Sequence, residues 1–254
     1  MNKAIYMPKG KAGEYAKYAC NFYKGCSNGC TYCYLKKGVL AHALGGDTPV
    51  LKSCFKDEDD ALRVFVDELL DYRTGGAKED IKKHGIFFTF TSDPCLPETM
   101  PINLGAIHVA FELGVPVQIL TKCTAWIDTE HGQWLQEAPG AKRYLSVGFT
   151  LTGCDDMEPN AAPNTERINA MRRIHEIGIR TWASIEPIID LEASRMCIMD
   201  TLRFCDEYKI GLMSGKRNYT KDEVADFVKE IDQMAAFFDA KVYWKESVRK
   251  FIGK

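Results

Sequence analysis

Short apolar runs of strand character alternate with amphipathic stretches along most of this chain, and that rhythm narrows the fold more than any other feature. The clearest strand runs are Ile86–Thr91, Val115–Thr121, Tyr144–Leu151, Ile179–Ile185 and Ile210–Met213. Several are apolar almost throughout, as strands are when both faces of a sheet are covered. A shorter first strand is expected over Cys20–Tyr23. Between these runs the period changes to that of a helix. Asp57–Tyr72 carries Leu62, Phe65, Val66, Leu69 and Leu70 on one face, and Pro101–Leu113 repeats Ile102, Ala106, Val109, Ala110 and Leu113. Pro163–Ile177 begins with a proline suited to a first helical turn and stops at Gly178. Thr220 with Glu223 reads as a capping box ahead of Val224, Phe227, Val228 and Ile231. Alternation of this kind predicts a parallel sheet. The roughly six βα units are too few for a closed eight-stranded barrel, so the expected fold is α/β, an open or partial barrel with parallel strands. One domain is expected over residues 1–254, with its core at about 19–213 and a helical, basic extension over 214–254.

A chain of 254 residues buries a full core without disulfide staples. Its net charge of −2 argues against a strongly basic nucleic-acid binder, although a local basic face is compatible with it. The segment Met1–Tyr6 has no apolar run of the secretory kind, and no stretch approaches the length of a membrane span. A cytoplasmic protein with no membrane partner is therefore expected. Ten cysteines is a high count for such a chain. In a cytosolic setting, clustered cysteines point to metal or catalysis rather than disulfides.

Three of the ten fall within eight residues, in Cys26-Ser-Asn-Gly-Cys30-Thr-Tyr-Cys33. The spacing is C-x3-C-x2-C, on a stretch that Gly25 and Gly29 keep pliable. A [4Fe–4S] cluster ordinarily takes four cysteines. Three leave one iron open to a small ligand with amino and carboxylate groups. The competing reading is a zinc site on Cys30 and Cys33, completed by Cys20, Cys54 or His42. Structural zinc sites favour two well-spaced pairs, and no second C-x-x-C or H-x3-H is present. The remaining cysteines are scattered, as small buried hydrophobes are.

The loop resembles the signature of the radical SAM superfamily, including an aromatic residue, Tyr32, just before the third cysteine. That resemblance implies a partial (β/α)6 TIM-type barrel, a [4Fe–4S] cluster on Cys26, Cys30 and Cys33, and S-adenosylmethionine (SAM) as cofactor. From about Ala19 to Met213 the chain is also similar to the spore photoproduct lyase group, whose members act on a thymine dimer lesion in DNA. The similar stretches are NFYKGCSNGCTYCY, FTSDP, ILTK, GFTLT, EPNAAPNTERI and IEPII, in the family's order. The lyase itself is longer at its amino end.

This resemblance implies roles residue by residue. Ser92 and Asp93 would lie beside the SAM amino-acid group, and Lys122 would meet its carboxylate. Thr150 would sit near the ribose, and the backbone of Glu186-Pro187-Ile188 near the adenine. Glu158 and Arg167 match the segment EP…(R/K)I. Tyr32 and Tyr34 resemble the lyase's radical relay. A zwitterionic ligand needs an anionic and a cationic partner, which Asp93 and Lys122 supply; the bland reading is a solvated ion pair. One departure stands out. The lyase has a hydrogen-donating cysteine where this chain has Phe90, so either Cys95 serves as donor or the reaction differs; we favour the second.

The implied chemistry is reductive cleavage of SAM to a 5′-deoxyadenosyl radical that takes a hydrogen from substrate, with the electron drawn from a donor such as flavodoxin or ferredoxin. The substrate expected by resemblance is DNA or a nucleotide, with Lys241, Lys245, Arg249, Lys250 and Lys254 around Tyr243 and Trp244, and Lys216 with Arg217, as the basic features. A solvated helix face that closes the barrel explains the tail more simply. The alternative substrate is a small molecule or peptide, and a non-catalytic metal-binding module is the third reading.

Overall fold

A computed structural model describes residues 3–74, 78–215 and 217–253. It forms two compact units, Met1–Ser146 with Glu158–Ala161, and Val147–Met157 with Ala162–Lys254.

The first unit holds β1 (Ile5–Tyr6), β2 (Ala19–Cys20), β3 (Tyr23–Lys24), β4 (Val50–Leu51), β5 (Ile86–Phe88) and β6 (Val117–Thr121). Its helices are α1 (Val39–Ala43), α2 (Glu58–Thr74), α3 (Lys78–His84), α4 (Met100–Glu112), α5 (Glu130–Glu137) and α6 (Ala141–Tyr144). β2, β5 and β6 are parallel neighbours, pairing Ala19 with Phe87 and Ile86 with Val117. β1 lies antiparallel on β2, and β3 pairs with β4 in a separate two-stranded sheet. The apolar stripe of α2 is buried at Ala61, Phe65 and Leu69, as its spacing predicts.

β7 (Leu145–Thr150) leads into the second unit, which adds β8 (Arg180–Ile188), β9 (Glu207–Leu212) and β10 (Lys241–Trp244). Its helices are α7 (Asn164–Glu176), α8 (Leu191–Thr201), α9 (Lys221–Phe237) and α10 (Glu246–Ile252). β8, β9 and β10 run parallel. The capping box forms as read, with Thr220 Oγ1 accepting from the Glu223 N–H at 3.3 Å and Glu223 accepting from the Thr220 N–H at 2.7 Å. Asp190 caps α8 by accepting from the Ala193 N–H at 2.8 Å. Gly178 closes α7 at φ +86°, donating to the His175 carbonyl.

The strand order is β1-β2-β5-β6-β7-β8-β9-β10 in one mostly parallel, eight-stranded sheet, consistent with a partial TIM-type barrel. Three sequence expectations are corrected. The first strand is not continuous over Cys20–Tyr23: it ends at Cys20, and Tyr23 pairs with Leu51 in the other sheet. Between them the Asn21 side chain donates to Tyr6 and accepts from the Phe90 N–H, both at 2.7 Å, in place of ladder bonds. The run Ile86–Thr91 stops at Phe88, because Thr89 and Thr91 turn their hydroxyls to the Ser92 and Tyr23 carbonyls. The tail is not wholly helical, since Lys241–Trp244 extends the sheet beside β9. Among the described residues no helix is long and apolar enough to cross a membrane.

Candidate functional site

The cysteine loop lies in the first unit, directly after β3. Gly25, at φ +81°, leaves no room for a side chain: a Cβ there would stand 2.3 Å from the Thr48 carbonyl oxygen. The Gly25 and Cys26 amides donate to the Leu44 and Gly46 carbonyls, which fixes where the loop begins. The Cys33 amide donates to the Cys30 carbonyl at 3.2 Å, so its second half is a tight turn. Cys30 is buried, while Cys26 and Cys33 are half-buried, and all three are free thiols.

Asp93 organises the polar surroundings. It is 5% exposed and accepts four hydrogen bonds: from Asn28 Nδ2 (2.9 Å), the Cys95 N–H (3.0 Å), the Thr121 hydroxyl (2.6 Å) and the Lys122 N–H (2.8 Å). One carboxylate thus ties the cysteine loop to the turn after β5 and to the end of β6. Asp93 and Lys122 do come together, but through the lysine's backbone. The Lys122 ammonium instead lies 3.9 Å from Glu158 Oε1 and 5.6 Å from the centre of the Tyr32 ring. The Tyr32 hydroxyl donates to the same Glu158 oxygen. Glu158 is 2% exposed.

Burial pushes the Cys26 thiol up to about 12, with Asp93 adding to the rise, and burial also raises Cys30. A buried thiol of this kind gives up its proton near neutrality when a thiophilic metal takes the proton's place. The donor set therefore suits an iron–sulfur group. Among the described residues, no three His, Cys, Asp or Glu side chains converge closely enough to chelate one ion. Cysteines around an iron–sulfur cluster bind separate irons and need not meet at one point. The Ser92 hydroxyl, beside Asp93, is buried with no hydrogen-bond partner. Such an atom costs stability unless something satisfies it, which suits a polar ligand in the place expected for SAM.

The other predicted residues of the first unit are placed as follows. The exposed Tyr34 donates its hydroxyl to the Phe90 carbonyl. Phe90 itself stacks on Phe87 at 4.3 Å and meets the Tyr15 ring edge-on at 6.0 Å. Cys95 is 2% exposed, and burial raises its thiol well above the ordinary value, so it stays protonated.

In the second unit, Arg167 is fully buried and spends donors on the Ala162 and Thr150 carbonyls, at 2.6 and 2.8 Å. Thr150 is 4% exposed and Ile188 is buried, with the Ile188 carbonyl accepting from the Tyr219 hydroxyl. Glu186 accepts from the Lys245 ammonium at 2.5 Å, and Lys245 is 1% exposed. Lys245, read as one of the tail's basic residues, thus spends its charge inside the protein. Lys250 pairs with Glu246, Arg249 covers the Tyr243 ring, Trp244 donates to Asp232, and Arg217 lies over Phe251. Lys216 and Lys254 lie outside the described residues.

No family model matches the chain. The fold is similar to that of SuiB from Streptococcus suis. SuiB bound to S-adenosylmethionine superposes with a TM-score of 0.60 at 12% identity, over 88% of this chain and 48% of that one. SuiB bound to its precursor peptide SuiA gives 0.57 at 11%, over 92% of this chain and 50% of that one. This chain thus spans about half the length of SuiB. Among curated proteins, the uncharacterised MJ0683 of Methanocaldococcus jannaschii is 25% identical over 238 residues, 87% of this chain and 82% of its own length.

Sequence reading missed Asn28, Thr121 and Asn160. Asn28 was visible as the Asn-Gly inside the cysteine loop, and Asn160 as part of the EPNA stretch. Nothing in the sequence marked Thr121 as the partner of Asp93.

Proposed function

We propose that this protein is a radical SAM enzyme, with a [4Fe–4S] cluster on Cys26, Cys30 and Cys33 and SAM on the open iron. The observation that carries this reading is the loop of three free thiols beside a carboxylate anchor and the Lys122 cation. Bound there, cluster and SAM together supply one-electron cleavage of the SAM C–S bond, giving methionine and a 5′-deoxyadenosyl radical. The protein's own residues orient and shield. Lys122 offers its ammonium to the SAM carboxylate. Ser92 offers its orphaned hydroxyl to the polar end of the same ligand. Asp93 keeps the loop in register with β6. The family resemblance alone supports Thr150 near the ribose, the backbone of Glu186-Pro187-Ile188 near the adenine, and Arg167 as a cofactor-site residue.

For the substrate, two classes stand side by side. The photoproduct lyase-like stretches support a nucleic acid or nucleotide, with Tyr32, Tyr34 and the protonated Cys95 as the hydrogen-transfer residues. Phe90 in place of the lyase cysteine, the engaged cations of the tail and the fold shared with peptide-bound SuiB support a peptide or small molecule. A one-electron donor such as flavodoxin or ferredoxin is the proposed reductant.

The test is anaerobic reconstitution with iron and sulfide, reduction, addition of SAM, and chromatographic assay of 5′-deoxyadenosine. Product is expected from the wild type and none from Cys30→Ala. A wild type that holds zinc, shows no cluster absorbance and leaves SAM intact overturns the proposal. Deuterium transfer from labelled dinucleotide lesions or labelled peptides into 5′-deoxyadenosine then separates the two substrate classes.

A further inference from the structure

The four residues Glu158–Ala161 belong to the first unit although the chain on either side of them belongs to the second. Ties that hold them there run to the cysteine loop and to Lys122, just after β6. The Asn160 N–H donates to the Asn28 carbonyl at 3.2 Å, and Asn160 Nδ2 donates to the Ser27 carbonyl at 3.0 Å. Gly29, at φ +70°, lets the segment lie flat on the loop: a Cβ there would meet Asn160 Nδ2 at 3.0 Å and Pro159 Cγ at 3.2 Å. Two residues earlier, the buried Glu158 accepts from the Tyr32 hydroxyl and faces Lys122 at 3.9 Å.

We propose that Glu158–Ala161 is a latch that presets the cysteine loop, and that Glu158 and Asn160 are positioning residues for the cluster rather than contacts to SAM. This rests on the cluster reading of the loop. The residues held are Ser27, Asn28 and Tyr32, which alternate with Cys26, Cys30 and Cys33 along the chain. Gripping the spacers fixes the thiols without touching them. The two ends of the latch differ in kind. Asn160 is exposed and grips backbone, so its contribution is that of a modest surface hydrogen bond. Glu158 is buried and grips one hydroxyl and one ammonium, so its loss takes an acceptor from both.

The experiment uses the full chain, first metal-free and then reconstituted. Amide hydrogen exchange of residues 26–33 in the metal-free protein reads the loop directly, and transfer of iron to a colorimetric chelator reads how firmly the loaded loop holds. Glu158→Ala is expected to speed exchange at Tyr32 and Cys33, and iron loss, by about tenfold. Glu158→Gln keeps an acceptor for Tyr32 and is expected to recover most of that loss. Asn160→Asp, of nearly equal volume, turns the Nδ2 donor into an acceptor aimed at the Ser27 carbonyl. Its expected effect is about threefold, confined to residues 26–30. Because Asn160 is exposed, this variant is not expected to compromise folding. Unchanged exchange and iron transfer in both Glu158→Ala and Asn160→Asp would sink the latch even if the wild type cleaves SAM. A wild type that takes up no iron would fail the function reading alone, since loop exchange in the metal-free chain still reads the latch.

Discussion

Two buried charges, Asp93 in the first unit and Lys245 in the second, are held in different ways. In the first, the Asp93 carboxylate is shared among four neutral donors from three separate segments: the cysteine loop, its own turn and the end of β6. In the second, the Lys245 ammonium pairs with the Glu186 carboxylate at 2.5 Å, with Glu186 on β8 and Lys245 at the junction of β10 and α10. A distributed arrangement fails gradually, because each donor carries a fraction of the stabilisation. A paired arrangement fails at once, because removing one partner leaves the other charge buried and uncompensated. The Asp93 site can thus absorb small changes, and the pair of Lys245 and Glu186 cannot.

The largest expected effect is on the pair. Lys245→Met should destabilise the chain by about 3–4 kcal/mol, measured as a shift of the urea midpoint, because it breaks a close ion pair whose lysine is buried. The double variant Glu186→Gln with Lys245→Met should recover most of this, since no charge is then stranded. A double variant no more stable than the single one would break the comparison.

Asp93→Asn comes next. Its new amide would point N–H groups at donors, so at least one of Asn28, Thr121, Cys95 and Lys122 loses its acceptor, at a cost of about 2–3 kcal/mol. Thr121→Val, which removes one donor of the four, should cost about 1 kcal/mol by the same measurement. The ratio between the two is the signature of a shared carboxylate. Equal costs would mean that the Thr121 contact at 2.6 Å carries the site alone.

Packing in the second unit sharpens the point. An added Cβ at Gly148 would lie 2.1 Å from Trp182 Cε2, and one at Gly211 would lie 2.6 Å from a Glu186 oxygen. The two glycines make room for large side chains from the neighbouring strand. Gly148→Ala should cost about 2 kcal/mol, and Trp182→Leu in the same chain should relieve part of it. Lys209, 6% exposed, packs its ammonium 4.9 Å from the centre of the Trp182 ring, so a displaced indole disturbs a buried cation as well.

The same contrast explains what was legible in the sequence. The parallel strands and their helices were visible because burial on both faces writes itself as continuous apolar runs. Thr220 and Glu223 announced a helix start because capping is local chemistry. The cysteine loop was visible for the same reason, with all its members within eight residues. The pairing of Lys245 with Glu186 was not, because 59 residues separate them and a lysine among other basic residues looks like solvated surface. β10 was missed because Lys-Val-Tyr-Trp is too short and mixed to show a period, and its partner β9 alone makes it a strand. Asp93 was read as a ligand for SAM because its motif is local, whereas its four donors are assembled by the fold.

The smallest effect separates the units by pH. In the second unit, burial pushes the Cys205 thiol from 9.0 up to about 12. The folded state therefore prefers the thiol more strongly than the unfolded chain does. That contribution is complete below pH 9 and is lost as pH rises toward 12, because the unfolded chain ionises first. Cys26 in the first unit is raised to about 12 in the same way, so the metal-free chain should lose stability over this window at both positions. Loading with iron and sulfide changes only one of them. A Cys26 held as a bound thiolate has no proton left to lose, whereas Cys205 keeps its thiol. Urea unfolding at pH 7 and pH 10.5 checks this on reduced protein. Cys205→Ala should narrow the difference between the two pH values in metal-free and loaded chains alike, by up to one proton's worth of slope. Loading should narrow it further through Cys26 and Cys30, both raised by burial. If loading leaves the alkaline slope unchanged while iron is bound, then neither Cys26 nor Cys30 is held as a thiolate, and the three-cysteine reading of the loop fails.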